Sequence, residues 1–512
     1  MMGSWETSPS SPLKKRSRWG STARGEMDKV RRMSMGRRED RQAPMWISGP
    51  DLARSPGHRF YEKLNELLSE AKFDQRAEEI CAPYFEADDK PGRPSIAPGV
   101  YFRMLFVGYF EGIESERGLE WRCSDSLSLR TFLGAQVTER VPDHSSLSRM
   151  RTRLDGAVYD EVFRFVLGIV ESKGLLRGKV AGVDSTYLRA DASMKSIVRK
   201  ETGDDYTTYL KKLCEAQGIE NPTVEDARRM DRARKGKKVS NEDWASPTDS
   251  DARIVRLKDG RTRLGYKAEH VVDLDTGAVV AAEVYSGEQA DAATLRPSLE
   301  AARDNVNAAR AESTRDGEND DDDAPPPATP NSEPRTTIEV VADKGYHKVE
   351  LLFELRRAEY RTYISVPDQK GQRRFTDKGG MLAREAFHDN RRRVRRDKGK
   401  KLLRLRGERI ERTFAFACET GAHRRVRLRG RDNVRKRYLA HLAALNLGLV
   451  MRTLFGHGTP RQAADVALAA LGATLRAGLQ IALRKAVRFA EGFFGTILPH
   501  ATAHRRAADL AA

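Results

Sequence analysis

Two aspartates in this sequence each follow a short run of apolar, mostly β-branched residues. Asp184 follows residues 180–183 in KVAGVDST, and Asp343 follows residues 338–342 in IEVVADKGYH. Such runs predict buried strands, and Gly345 predicts a break just past the second one. Because α/β folds tend to carry their chemistry at the carboxyl edge of the sheet, we expect the two carboxylates to share one site. An ordinary turn aspartate is the alternative for either residue taken alone.

A third acid, Glu411, lies on a predicted helix in the run GERIERTFAF. The order of strands and helices places Asp184, Asp343 and Glu411 around one edge of a mixed sheet. Mg²⁺ prefers hard oxygen ligands and keeps several waters, and paired ions can activate an attacking oxygen and stabilise a leaving one. Three acids in this arrangement therefore predict a Mg²⁺ site for phosphoryl transfer. Glu408 is an alternative third acid, because residues three apart lie on nearly the same helix face.

The composition favours a polyanionic partner. The chain has 512 residues and a formal net charge of +18, which favours nucleic acid first and an anionic membrane second. Four scattered cysteines without a CxxC pair argue against a zinc ribbon or a disulfide framework and suit a reducing compartment. The polar N-terminus shows no signal peptide, and the apolar run VALAALGATL is shorter than the roughly 20 residues that span a bilayer. We therefore predict a soluble, cytoplasmic protein with no membrane partner.

The N-terminal region, residues 51–154, has a helical pattern. The runs SLSLRTFLG and HSSLSRMRTRL, separated by the breaker-containing ERVPD, predict a helix-turn-helix in which Asp143 caps the second helix. That helix carries Arg149, Arg151 and Arg153, which suit contacts with phosphates or base edges. A plain amphipathic helix pair is the alternative.

The remaining pattern is that of an α+β region. The run LGYKAEHVVDLDTGAVVAAEVYSG predicts a hairpin with Gly277 in its turn, and RTYISVP predicts a further strand. Residues 195–260 are highly charged and predict an insertion of helices and loops, while residues 312–335 are acidic and Pro-rich and predict a surface loop or disordered segment.

These residues together resemble bacterial insertion-sequence transposases with a DDE triad, in the insertion-sequence four and five superfamily and its group called eleven-eighty-two. The resemblance implies an α+β protein with a ribonuclease H-like mixed-sheet catalytic domain over 175–455 and a helical DNA-binding domain over 49–155. A disordered basic tail over 1–48 and an Ala-rich helical tail over 456–512 would flank them. The matching stretches are GRPSIAPGVYFRMLFVGYFEGIESERGLEWR, PDHSSLSRMRTRL, GVDSTYLRADASM, GYKAEHVVDLDTGAVVAAEV, VVADKGYHK and ERTFAFACETGAHRRVRLRGRDNVRKRYLAHLAALNLGLVMR.

The resemblance also implies roles for individual residues. Asp184, Asp343 and Glu411 would be the catalytic, metal-binding acids. Many relatives have an arginine four residues before the glutamate and a lysine seven after it. Counted from Glu411, Gly407 and Cys418 occupy those positions; counted from Glu408, Arg404 fits the arginine, but Ala415 replaces the lysine. The expected DNA contacts are Lys267, Arg412, Arg424, Arg425 and Arg429. For Lys267, the alternative is an ordinary solvated lysine.

The function implied is DNA cleavage at the ends of an insertion sequence and strand transfer into target DNA. Mg²⁺ would be the cofactor, with Mn²⁺ substituting, and the partners would be double-stranded terminal inverted repeats and target DNA. A homodimer on DNA is expected, in the bacterial cytoplasm and associated with the nucleoid. The alternatives are a non-catalytic DNA-binding remnant or regulator of its own element, and a nuclease acting on RNA–DNA hybrids.

Overall fold

The computed structural model describes residues 58–85, 95–235, 239–257, 260–317, 338–367 and 380–497. All of them belong to one compact unit, Arg54–Ala512. The basic tail predicted over 1–48 and most of the predicted acidic loop over 312–335 lie outside the described residues.

The N-terminal region is helical, as its pattern predicts. The third helix is almost wholly buried, because nearly every residue of VYFRMLFVGYF is apolar and it packs into the core on all sides. The α-helices among its described residues are α1 (His58–Glu70), α2 (Phe73–Cys81), α3 (Pro98–Glu111), α4 (Glu116–Asp125), α5 (Leu127–Phe132), α6 (His144–Arg153) and α7 (Gly156–Ser172).

A mixed six-stranded sheet follows, in the order β4-β5-β1-β7-β8, with β6 also paired to β5. The central strand β1 is antiparallel to β5 and parallel to β7, and β7 is parallel to β8. The sheet strands are β1 (Val180–Arg189), β4 (Arg253–Arg256), β5 (Thr262–Asp273), β6 (Val279–Ser286), β7 (Glu339–Ala342) and β8 (Arg361–Ile364), and a separate two-stranded ribbon consists of β2 (Val198–Arg199) and β3 (Trp244–Ala245).

Helices cover both faces of the sheet. The side chains of β5 alternate between a face covered by α10 and one covered by α13 and α14, so Glu269 bonds to α10 while His270 bonds to α13 and α14. The remaining helices are α8 (Tyr206–Ala216), α9 (Val224–Ala233), α10 (Asp291–Gly317), α11 (Val349–Arg357), α12 (Gly380–Arg395), α13 (Asp397–Ala415), α14 (Arg431–Phe455) and α15 (Pro460–Ile497).

Two outer strands of this sheet, β6 and β8, are each paired to the side chain of a buried asparagine. The amide of Asn446, on α14, accepts from the backbone N–H of Val279 at 3.0 Å and donates to its carbonyl at 2.8 Å. At the opposite edge, the amide of Asn390, on α12, makes the same two bonds to Ile364, at 2.9 and 2.8 Å. The two helices therefore satisfy backbone groups that a further strand would otherwise take.

Several predicted details are confirmed and others are wrong. The predicted hairpin is β5–β6, and Gly277 has a φ of 87° in its turn. The prediction that the first strand ends at Asp184 is wrong, because antiparallel pairing with β5 carries β1 on to Arg189. Residues 312–317, predicted to be loop, continue α10. The charged insertion also contains strands, since β4 joins the main sheet.

The stretch Arg431–Val466 is the part of the described chain that is long and apolar enough to cross a membrane, but 67% of its most apolar window is buried inside the fold. Val434, Tyr438, Leu442 and Leu445 of α14 belong to the core, which is the pattern of a core helix.

Candidate active site

Asp184 and Asp343 occupy equivalent positions on neighbouring parallel strands. The ladder between β1 and β7 ends with Val183 opposite Ala342, and each aspartate is the next residue along its strand. Adjacent strands lie about 4.8 Å apart, so the two aspartates lie side by side at the carboxyl edge of the parallel part of the sheet. The structure thus brings together the two aspartates that the sequence predicts as partners.

The surroundings of the two carboxylates differ. Asp343 is exposed and caps the short 3₁₀ turn Lys344–Tyr346 by accepting from the N–H of Lys344 at 2.7 Å. The side chain of Asp184 is 26% exposed and accepts the N–H of Ser185 at 2.8 Å. The Asp343 carboxylate is therefore open to solvent, whereas that of Asp184 is only partly exposed.

A guanidinium group sits against Asp184. Nη2 of Arg406, on α13, lies 2.7 Å from Oδ2 of Asp184, and the Arg406 side chain is only 11% exposed. Its Nε donates to the carbonyl of Val183 at 3.1 Å. The charge of Asp184 is therefore balanced by a positive group of the protein itself, a contact that the sequence analysis did not anticipate.

The orientation of α13 explains why neither candidate glutamate joins the aspartates. Arg406, Ile410 and Thr413 are spaced by four and three residues and form the face of α13 on the sheet, where Ile410 and Thr413 are buried. Glu411 is five residues from Arg406, roughly 140° around a helix with about 3.6 residues per turn, and it is exposed. Glu408 is also exposed and pairs with Arg412 at 2.9 Å.

The donor set therefore fits a divalent cation only in part. Two aspartates at one sheet edge offer the hard oxygen atoms that Mg²⁺ prefers. Among the described residues, however, no group of three or more His, Cys, Asp or Glu side chains is placed to hold a metal ion. In this arrangement Glu411 supplies no third carboxylate, and Arg406 holds the position beside Asp184.

Lys267 does not suit the DNA contact predicted for it. Its side chain is 1% exposed and ion-paired with Asp291 at 2.8 Å, and Nζ also donates to Thr294 at 2.9 Å. The buried Glu269 lies beside it, at 3.6 Å; burial raises the pKa of the Glu269 carboxyl, while its hydrogen bonds and Lys267 oppose that rise. The sequence analysis missed Glu269 and Asp291, although alternation along β5 places Lys267 and Glu269 on one face.

The arginines predicted to contact DNA at positions 424, 425 and 429 are paired with acidic side chains. Arg425 and Arg429 both contact Asp191, at 2.8 and 3.4 Å, beside a surface cavity of about 540 Å³. Arg424 pairs with Glu419 at 2.6 Å. These arginines are partly or fully exposed, so a phosphate could replace their carboxylate partners.

The two helices predicted here are present as α5 and α6, joined by residues 133–143, and the carboxylate of Asp143 accepts from the N–H of Ser146 at 2.6 Å. A DNA-binding helix-turn-helix formed by this pair stays a prediction. Hydrogen bonds from Ser145 and from that backbone N–H lower the pKa of Asp143 to about 2. Arg149 and Arg153 are exposed on α6. Arg151 is only 12% exposed and is ion-paired with Glu116, so it is held inside the protein rather than presented to a ligand.

Comparison with known families agrees with this layout. Residues 51–153 match the family model described as Transposase domain (DUF772). Residues 245–447 match the family model described as Transposase DDE domain. Asp343, Glu408 and Glu411 lie within the second match, whereas Asp184 lies between the two. No curated protein and no solved structure matches the chain. In sequence, the chain is therefore similar to transposase domains in both its N-terminal helical region and the region that contains most of the sheet.

Proposed function

We propose that this protein cleaves DNA at the ends of an insertion sequence and transfers the freed strands into target DNA. The observation that carries the proposal is the register of β1 and β7, which sets Asp184 and Asp343 side by side at one sheet edge. Both transposase matches support it. The finer assignment, to the insertion-sequence four and five superfamily with a ribonuclease H-like fold, belongs to the same proposal.

Asp184 and Asp343 would hold Mg²⁺, with Mn²⁺ able to substitute, and the ion would neutralise charge that develops on the scissile phosphate. Glu411 would complete the set only after α13 turns or shifts, because it now lies roughly 140° away from the helix face that contacts β1. The same movement would withdraw Arg406 from Asp184. The contact between Arg406 and Asp184 would then belong to a resting state that precedes cleavage.

The DNA partners would be the terminal inverted repeats and the target duplex. Exposed arginines on α6 and around the 540 Å³ cavity would contact phosphates. A net charge of +18 favours the approach of DNA to an edge that carries two aspartates. Two ends must be held together for strand transfer, so we propose a homodimer on DNA.

The test is excision and reinsertion of a marked DNA segment bounded by the native flanking ends of this gene. The native chain would be compared with Asp184→Asn, which keeps the size of the side chain and removes its charge. Asp275→Asn, at an exposed position in the β5–β6 turn, is the matched control. We expect movement with the native chain and the control and none with Asp184→Asn.

Two other outcomes would contradict the proposal. If the native chain binds the ends and moves nothing, the protein is a DNA-binding regulator of its element rather than an active enzyme. If Asp184→Asn moves DNA as well as the native chain does, Asp184 is not a catalytic ligand and the site assignment fails.

A further inference from the structure

A buried cluster of charged and hydroxyl side chains lies directly behind the two aspartates. Its centre is Glu269, which is 0% exposed, and Lys267, which is 1% exposed. Burying charges is costly unless they are paired and hydrogen-bonded, and here both conditions hold. The Glu269 carboxylate accepts from the hydroxyls of Thr294 at 2.6 Å, Ser298 at 2.6 Å and Tyr346 at 2.8 Å.

Two arms of this cluster reach the segments that immediately follow the aspartates. Tyr346 is three residues after Asp343, and its hydroxyl is bound by Glu269. Ser185 is the residue after Asp184, and its hydroxyl donates to Oδ1 of Asp291 at 3.0 Å. Oδ1 of Asp291 also lies 2.8 Å from the ammonium of Lys267. One arm therefore ends at Glu269 and the other at Lys267, the two buried residues at the centre of the cluster.

A close contact between the backbone of Gly345 and the side chain of Asp291 also joins the two arms. Gly345 lies so near the Asp291 carboxylate that a Cβ added to it would be 2.4 Å from Oδ2. No side chain fits there without displacing Asp291. The turn after Asp343 and the start of α10 are therefore packed in direct contact.

The cluster lies on the other face of the sheet and is linked to Asp184 through the backbone N–H of Ser185. Ser185 is paired across the strands with Glu269, whereas Asp184 is paired with His270. Cross-strand partners share a face and neighbouring residues alternate, so Asp184 faces α13 while Ser185 faces α10. The cluster can therefore set the positions of the aspartates without removing their oxygen atoms from a ligand.

We infer that Lys267, Glu269, Asp291 and Tyr346 are positioning residues that fix the separation of Asp184 and Asp343. The catalytic consequence of this inference rests on the proposed function; the mechanical coupling between the two strand ends does not. Removing one bond of the cluster should loosen both strand ends together, even though they belong to segments more than 150 residues apart in the sequence.

The experiment uses Tyr346→Phe, which removes the hydroxyl bound to Glu269 and keeps the ring. The matched control is Tyr363→Phe. Tyr363 is 2% exposed against 1% for Tyr346, and its hydroxyl also donates to a glutamate, Glu339, at 3.1 Å. Tyr363 lies on β8 of the main sheet. Its hydrogen bond to Glu339 does not involve the residues that follow either aspartate.

The first readout is amide hydrogen exchange by mass spectrometry, which needs neither DNA nor metal. We expect Tyr346→Phe to speed exchange roughly ten-fold in residues 184–189 as well as in 343–347, since a hydrogen bond to a charged group is lost. Tyr363→Phe should leave residues 184–189 unchanged. If Tyr346→Phe affects only its own turn, or if both variants affect β1 equally, the inference is wrong.

The second readout is single-turnover cleavage of end DNA at saturating DNA concentration. We expect Tyr346→Phe to lower the rate roughly ten- to hundred-fold, as small misplacements of reacting groups do, with DNA affinity unchanged within about two-fold. An unchanged rate despite altered exchange in β1 would overturn the catalytic part of the inference. If the native chain cleaves nothing, the proposed function fails, and the exchange experiment still decides whether the cluster couples the two strand ends.

Discussion

The guanidinium of Arg406 lies 2.7 Å from the carboxylate of Asp184, and the same side chain holds the carbonyl of Val183. Arg406 thereby fastens α13 to β1 on the residue proposed to bind metal. Glu411 lies on this same helix and faces away. Any rotation that brings Glu411 to the aspartates must break the contact of Arg406 with Asp184, so the two events are mutually dependent.

Replacing Arg406 should ease metal binding at Asp184. A positive neighbour opposes the approach of a cation, so we expect Arg406→Gln to lower the Mg²⁺ concentration that gives half-maximal cleavage by about ten-fold. Lys401→Gln, an exposed position on the same helix, removes the same charge without this contact. An identical Mg²⁺ dependence in the two variants would show that Arg406 does not compete with the metal.

The two candidate glutamates should separate clearly by activity. We expect Glu411→Gln to abolish cleavage and Glu408→Gln to retain it. Both residues are exposed, so each change should alter the free energy of unfolding by no more than about 0.5 kcal/mol. Cleavage by each variant is measured beside its urea unfolding curve. Loss of activity in Glu408→Gln alone would reassign the third acid.

Buried histidines should make the fold sensitive to acid. Burial lowers the pKa of His270 and of His423 to about 3 each, and it also lowers the pKa of His441, whose ring is bonded to that of His423 at 2.9 Å. Because the folded pKa is below the unfolded value of about 6.5, their stabilising contribution is complete above about pH 6.5 and is lost as the pH falls.

Between pH 6 and pH 5, His270 and His423 together should reduce the free energy of unfolding by about 2.4 kcal/mol, since each group contributes about 1.2 kcal/mol over this unit, slightly below the limiting value of about 1.4 kcal/mol. Urea denaturation at several pH values measures this slope. His423→Gln should make the slope shallower by about half of that amount. A stability that stays constant over this range would mean that these rings are already accessible to protons.

The three arginines of α6 should differ in what they do. Arg149 and Arg153 are exposed, so we expect Arg149→Ala and Arg153→Ala each to weaken binding of end DNA and to reduce the slope of log affinity against log salt by about 0.9. Arg151 is paired with Glu116, so Arg151→Ala should reduce stability with little change in that slope. Filter binding across a salt series, with thermal unfolding in parallel, distinguishes the two effects. Equal salt slopes for all three variants would contradict the assignment.

The sequence is sufficient to predict the two aspartates as a pair, because the signal is local. A run of β-branched residues followed by Asp appears twice, and each run forms a strand of one sheet. The end of β1 could not be read in the same way. The last residues of β1 are hydrogen-bonded to β5, so a pairing between distant segments decides where β1 ends.

The orientation of α13 and the burial of Lys267 depend on packing between distant segments. The spacing of Glu408 and Glu411 fixes their angle to one another, but the angle of the helix to the sheet is set by Ile410 and Thr413 inside the core. A lysine in a strand is ordinarily solvated, and the burial of Lys267 depends on partners from α10, Asp291 and Thr294, as well as on Glu269.

The asparagines at the two edges of the sheet have a consequence for self-association. Open strand edges are templates on which further chains add, and they promote aggregation and fibril growth. Asn446 and Asn390 occupy the hydrogen-bonding groups of Val279 and Ile364 with side-chain amides, so a foreign strand would have to displace a buried asparagine before it could pair there. At these two strands the side-chain amides thus oppose pairing with a strand of another chain.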